Sequence, residues 1–415
     1  MEGLYVRTHT CTLRGGTSSQ NKTVATMIVQ VERYVNEVLS SYEHGRERIG
    51  VLVGRMTPKK GFVLYFVPTP DVEENLDDVK CGLPYEDWWV EDHAHQVREM
   101  LPGGLSVVGL CLVSPAFELT TAASLTKLAS RFSKPYFESA WSAFLTMHFS
   151  TITGSFTCQC QSVPHNVGLP VEVVVDELRD LWCCLESRVS VQLNKLVQPG
   201  KPFGDVQQEL IAGLNCWSLG TVVFGNKYGG CEGCVADQVK GRYARCVVYP
   251  AHQPLEYGQS ETLELASAIT LHGKFSVIAY VPLEASLAEA SKAVTDDVLQ
   301  TVVIRWKKMC DDMKQEKRQA IGSWQLPRRV ELAVDRCMFR FSSYMFSDEN
   351  ETDVCERVGE LLGVSMDRVS VMDTEQNFMD VKQQTPRKKG PWSQVCTFFV
   401  TLLLVIIFVT YLVMK

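Results

Sequence analysis

The sequence predicts an α+β protein of two unequal lobes followed by a single C-terminal transmembrane helix. Three observations predict it. The chain has 415 residues, 46% hydrophobic and 21% charged, with a mean hydropathy of -0.02, which is the composition of a globular chain and neither a disordered nor a multi-span one. Short apolar runs of strand length are interspersed with longer stretches of helical period. Finally, no charged residue occurs from Val395 to Met414, and about 20 residues rising 1.5 Å each match the ~30 Å hydrocarbon core of a bilayer.

The first strong period is helical: Val24, Met27, Ile28, Val31, Tyr34, Val35, Val38, Leu39 and Tyr42 follow i, i+3, i+4, i+7 spacing and predict one helix. Ile49–Val53 and Phe62–Val67, joined by a segment containing Pro58 and Gly61, predict paired strands. A helix is expected over Tyr85–Met100, ended by Leu101-Pro102-Gly103-Gly104, and then a strand over Leu105–Val113. Thr121–Phe132 reads as helical, and Phe144–Gln161 as strands turning at Gly154. Leu178–Leu185 and Val189–Val197 read as two more strands. Pro199–Tyr249 is punctuated by glycines and predicts little.

A second lobe is expected over 256–373, after a first over 1–250. Leu263–His272 and Lys274–Val281 predict strands, and Glu284–Met313 a long helix. Val330–Val334 and Met338–Phe346 predict strands, Glu351–Leu362 a helix and Val369–Met372 a last strand. Residues 374–392 form a polar tether and 393–415 the membrane anchor, whose apolar body includes Val395, Phe398, Phe399, Leu402, Leu403, Leu404, Ile406, Ile407, Phe408 and Leu412. Arg387, Lys388 and Lys389 lie just before it and mark its cytosolic flank. Met1–Gly16 lacks the apolar stretch of a secretory signal. The bulk of the chain is therefore expected in the cytosol, with its 15 cysteines reduced.

The net charge of -7 argues against a nucleic-acid coat. No GxxxxGK[ST], GxGxxG or GxSxG occurs, so phosphate-loop and nucleophile-elbow chemistry have no motif. Cys231 and Cys234 form one CxxC that Cys216, Cys246 or the Cys158/Cys160 pair could complete into a zinc site. A second CxxC is missing, and a turn carrying reduced thiols is the preferred reading. His93 and His95 are two apart in a predicted helix and so point to different faces. Trp88 and Trp89 suit either a docking patch or the core. These readings predict no cofactor, no metal and no catalytic residue.

The block Trp89-Val90-Glu91-Asp92-His93-Ala94-His95-Gln96-Val97-Arg98-Glu99-Met100-Leu101-Pro102-Gly103-Gly104-Leu105, with Gly109 following, resembles the odorant-response-abnormal adaptor family, the Odr-four homologues. The resemblance implies a degenerate MPN metalloprotease-like domain over 1–250. Laid on the active pattern, Leu112 and Ser114 stand where two metal-binding histidines would be, and Ala122 and Leu125 where Ser and Asp would follow. A leucine donates nothing to zinc.

The resemblance further implies a noncatalytic adaptor at the endoplasmic reticulum membrane. Its partner would be a cysteine protease specific for the ubiquitin-fold modifier, bound as a heterodimer through the N-terminal domain around Val24–Tyr42 and Trp89–Leu105. A trafficking factor or chaperone for multi-span receptors is the alternative, and an active metal-dependent isopeptidase a third reading.

Overall fold

The computed structural model describes residues 26–42, 47–58, 60–71, 86–116, 124–128, 142–163, 167–169, 171–197, 213–225, 227–239, 241–251, 267–315 and 325–375. The expected membrane anchor, its basic flank and most of the tether lie outside them. Among the described residues, no helix is long and apolar enough to cross a membrane.

The first apolar run does not form one helix. Met27–Glu32 is strand β1, and helix α1 covers only Arg33–Ser40. The β-branched residues Ile28, Val29 and Val31 favour extended backbone. Met27, Val29 and Val31 are buried while Ile28 is exposed, which is a strand period. The helical period holds only from Val31 onward, through Val35 and Leu39.

Strands β2 (Arg48–Met56) and β3 (Lys60–Pro68) form the expected antiparallel pair. After helix α2 (Asp87–Glu99) comes β4 (Ser106–Ser114). Strands β5 (Ser142–Ser150) and β6 (Ser155–Val163) pair through a turn in which Gly154 takes φ +62°. With β7 (Val167–Leu169) and β8 (Val171–Asp176) they complete an eight-stranded sheet in the order β7-β6-β5-β4-β2-β3-β1-β8. Of the helix expected over Thr121–Phe132, the described residues 124–128 are helical.

Both faces of this sheet are buried. Ile49, Val51, Leu110 and Leu112 enter one core and Leu52, Val63, Cys111 and Val113 another. Two-sided burial explains why these strands read as unbroken apolar runs. The edge strands β7 and β8 are separated in the chain by Pro170 alone. Two Cα steps of about 3.8 Å therefore bring the edges together there and curl the sheet.

Strand β9 (Trp182–Val197) is continuous where two strands were expected, and β13 (Ser267–Pro282) likewise. Leu178 belongs instead to the lead-in, before a 3-10 turn at Arg179–Leu181. The polar residues Glu186, Ser187 and Arg188, read as a break, sit in the β9 ladder opposite Ile278, Val277 and Ser276. With β10 (Thr221–Phe224), β11 (Lys227–Tyr228) and β12 (Tyr243–Tyr249) these strands form a sheet in the order β11-β10-β12-β9-β13. The short helix α3 (Asn215–Ser218) and the long α4 (Leu287–Gln315) accompany it.

Strands β14 (Arg328–Val334), β15 (Arg340–Met345) and β16 (Val369–Met372) form a third sheet in the order β15-β14-β16. Helix α5 (Glu351–Leu362) packs beside it, capped by the Asn350 side chain and ended by Gly363 at φ +63°. The boundary expected near residue 250 is crossed by the β9–β13 ladder, 16 residues long on each strand. The chain divides into compact units after Glu375, beside the expected start of the tether.

Candidate functional site

Helix α2 buries Val90, His93, Ala94 and Val97, the i, i+3, i+4, i+7 stripe of an amphipathic helix. Asp87 in its first turn and Arg98 in its last suit the helix dipole. His93 Nε2 donates to Leu361 O at 2.9 Å, joining α2 to α5, and its Nδ1 is buried with no hydrogen-bond partner. Burial pushes the His93 pKa down. His95 points elsewhere and its Nδ1 accepts from Arg98 at 3.0 Å, so the two imidazoles face different ways as expected. Trp89 is partly buried and its indole donates to Pro70 O at 2.9 Å. Trp88 is exposed. Gln96 lies outward, bonded to Asp92 at 2.6 Å.

The Met100–Leu105 turn works as an insert between sheets. Gly103 N–H donates to Ile278 O at 3.0 Å and to Asp297 Oδ1 at 2.9 Å, and Gly103 O accepts from Tyr280 N–H at 2.8 Å. On its other side Met100 O accepts from Ser342 N–H at 2.7 Å. Gln300 Nε2 reaches Arg98 O and Leu101 O at 3.1 and 3.4 Å. A Cβ on Gly103 would lie 2.1 Å from Ala293 O, so only glycine lets helix α4 approach. Gly104 adopts φ +81°. Leu101, Pro102 and Leu105 are buried beside them. Gly109 sits where the β2–β4 register shifts, and a Cβ there would meet Leu145 O at 2.4 Å.

Behind this turn lies a buried ionic network that sequence reasoning missed. Asp297 accepts from Gly103 and Ile278 N–H and from Arg329 Nη1 and Nη2, the last two at 2.6 and 3.1 Å. Arg329 also donates through Nε and Nη2 to Ser342 Oγ at 2.9 and 2.6 Å. Arg305 pairs with Glu375, and Arg340 with both Glu186 and Glu331. Burial raises the Glu331 pKa, opposed by Arg340 and Arg329. Charges this deep persist only when paired and hydrogen-bonded. The sequence did carry a signal: Asp297 and Arg305 fall on the apolar stripe of α4, among Ala293, Val294, Val298 and Val302.

The positions compared with a metal site tell a separate story. Leu112 and Leu125 are core residues, each 1% exposed, and Ala122 lies outside the described residues. Ser114 Oγ donates to Ala116 O at 2.7 Å and meets His148 Nε2 at 2.9 Å. A hydroxyl has one proton, so His148 is the donor to Ser114, the reverse of a nucleophile handing its proton to a base. Among the described residues no group of three or more His, Cys, Asp or Glu side chains could hold a metal ion. Cys234 N–H is held by Asp237 Oδ2 at 3.1 Å in a 3-10 turn, and Cys231 packs partly against the α4 core. The described cysteines are free thiols, and burial pushes Cys183, Cys246 and Cys337 up to about 12.

Of the segments expected to bind a partner, β1 and α1 bury Val29, Val31, Val35 and Leu39, and the Met100–Leu105 turn is internal. The family block thus holds the sheets together.

Comparison with known proteins agrees with that block. The chain is 22% identical over 379 residues to a protein odr-4 homolog of Xenopus laevis, covering 83% of this chain and 85% of that protein. The mouse and human odr-4 homologs are each 23% identical, covering 80% of this chain and 82% of theirs. The crystal structure of UfSP from C. elegans superposes with a TM-score of 0.45 at 9% identity, over 81% of this chain. This chain spans 56% of that one, a likeness too distant to carry a fold or an activity across. A family model described as ODR4-like, odorant response abnormal 4-like, matches residues 50–222 and 239–372, and the chain belongs to that family.

Proposed function

We propose that this chain is a noncatalytic, tail-anchored adaptor that binds a cysteine protease specific for the ubiquitin-fold modifier and holds it at the endoplasmic reticulum membrane. The observation that carries the reading is the division of the chain after Glu375. The compact unit ends at Glu375, a polar segment with Arg387, Lys388 and Lys389 follows, and then the uncharged run from Val395 to Met414. A polar coil of about 17 residues has an end-to-end distance on the order of 20 to 25 Å, which keeps the folded unit near the bilayer. We read the N-terminal sheet as a degenerate MPN-like scaffold. Core leucines at 112 and 125, and a Ser114 that accepts from His148, support binding over hydrolysis.

The test uses the full chain, because removing residues 1–250 would take away β9, the ladder partner of β13. The full-length protein is expected to resist carbonate extraction and a chain ending at Gln376 to be released by it. Purified full-length protein in detergent is expected to bind the purified modifier-specific protease. Release of the intact chain by carbonate, or no binding to the protease, would sink the reading. Recovery of multi-span receptors without the protease would favour the trafficking role.

A further inference from the structure

Among the described residues, the sheet β11-β10-β12-β9-β13 is buried along one face and only at one end of the other. On the face toward α4, Val189, Val222, Phe224, Cys246 and Val248 are buried in one core. On the other face, the end carrying Trp182, Cys184, Ile278 and Tyr280 packs into the core of the first sheet. Among the described residues, the β11, β10 and β12 part of that second face carries exposed side chains. Tyr228, Val247 and Tyr249 are 54%, 50% and 57% exposed. Val223 pairs with both Tyr228 and Val247, so a continuous apolar row crosses β11, β10 and β12. Sheets with one solvated face place polar residues at such positions. A clustered exposed patch of tyrosine and valine marks an interaction site.

The exposed charged residues described around this row are mainly basic. Arg245 on β12, Arg188 on β9 and Lys274 on β13 are exposed on the same face. Glu186, the acid among them, is already held by Arg340 at 2.6 Å and by the Tyr243 hydroxyl at 2.5 Å. The patch is therefore locally positive on a chain of net charge -7. We propose that this open face docks a protein surface with an apolar centre and an acidic rim. Resting on the adaptor reading, that surface belongs to the partner protease. Nucleic acid also takes tyrosine and arginine, but here aliphatic Val223 and Val247 form the middle of the row. Residues 223–238, which include Val223 and Tyr228, fall outside the segments matched by the family model.

The experiment measures binding of the full-length protein in detergent to the purified modifier-specific cysteine protease of the same organism, with a 20-nucleotide polyuridine RNA as the second probe. Val247→Asp and Tyr249→Ser are expected to weaken protease binding about tenfold or more, as truncation at an interface centre does. Lys274→Glu is expected to slow association and flatten its salt dependence. The thermal midpoints of Tyr249→Ser and Lys274→Glu stay within a few degrees of the wild type, since both side chains are exposed. If the wild type binds the protease and all three variants bind as well, the docking face is wrong and the adaptor reading stands. If the wild type does not bind the protease, the adaptor reading and this occupant both fall. RNA binding that the same variants abolish overturns the protein occupant.

Discussion

Glu375 and Arg305 meet in a two-point ion pair, Nη1 to Oε2 at 2.8 Å and Nη2 to Oε1 at 2.7 Å, with side chains 3% and 2% exposed. The same carboxylate accepts Ser276 N–H at 2.6 Å from β13 and Arg329 N–H at 2.9 Å from β14. Two strands of different sheets are thus joined to helix α4 by one side chain, at the last residue of the folded unit.

Removing one partner of such a pair leaves a buried charge uncompensated. Glu375→Ala should therefore lower the unfolding free energy by about 3–5 kcal/mol, read from the urea midpoint of the full-length protein in detergent. The double variant Arg305→Met with Glu375→Leu should recover part of that loss. Recovery stays incomplete because the Ser276 and Arg329 amides keep no acceptor, at about 1–3 kcal/mol each. A Glu375→Ala midpoint equal to that of the wild type would refute the staple.

Gly103 and Gly154 separate close approach from backbone conformation. Gly103→Ala drives a methyl group to 2.1 Å from Ala293 O, and either the Met100–Leu105 turn or α4 must move. At Gly154 nothing lies within 4 Å of an added Cβ, although φ is +62°, so Gly154→Ala meets only the left-handed penalty of about 1–2 kcal/mol. Gly103→Ala is expected to cost several kcal/mol, with the His93 and Tyr280 amide region losing hydrogen-exchange protection. Equal costs at the two sites would show that the junction is not tightly packed.

What the sequence made legible follows from range. Helices α2 and α5 and strand β16 came out within a few residues of expectation, because their periods and stop signals, Gly103-Gly104 and Gly363 among them, are local. Strand β1 did not, since its two parallel neighbours β3 and β8 overrode a helical spacing that holds only from Val31. The network around the turn was half legible. Asp297 and Arg305 stand at core positions of α4, but their partners Arg329 and Glu375 are 32 and 70 residues away, a separation no periodicity reports. The apolar row at Tyr228, Val223 and Val247 was hidden for a related reason, because its members are neighbours across strands and not along them.

The His93 imidazole supplies a pH dependence with a definite sign. Its folded pKa lies below the usual 6.5 because burial disfavours the charged ring, so the unfolded chain binds more protons in the interval between the two values. Stability is then full above about pH 6.5 and falls as pH drops toward the folded pKa. His93→Gln keeps an N–H for Leu361 O and removes the titration. It should flatten the acid-side slope of the urea midpoint below pH 6.5, and an unchanged slope would assign the dependence to other groups.

Glu331 gives the opposite sign. Burial, opposed by Arg340 and Arg329, raises its folded pKa above the model-peptide value of 4.5. The folded state then holds the proton longer, and the contribution to stability declines as pH rises from about 4.5 through the folded pKa. Glu331→Gln, neutral at every pH, should remove that decline. It leaves Arg340 with Glu186 at 2.6 Å, so the guanidinium keeps a counter-charge and the variant should fold. Measured beside His93→Gln, the two slopes are expected to change in opposite directions. A Glu331→Gln profile that parallels the wild type from pH 4.5 upward would place the proton elsewhere in the network.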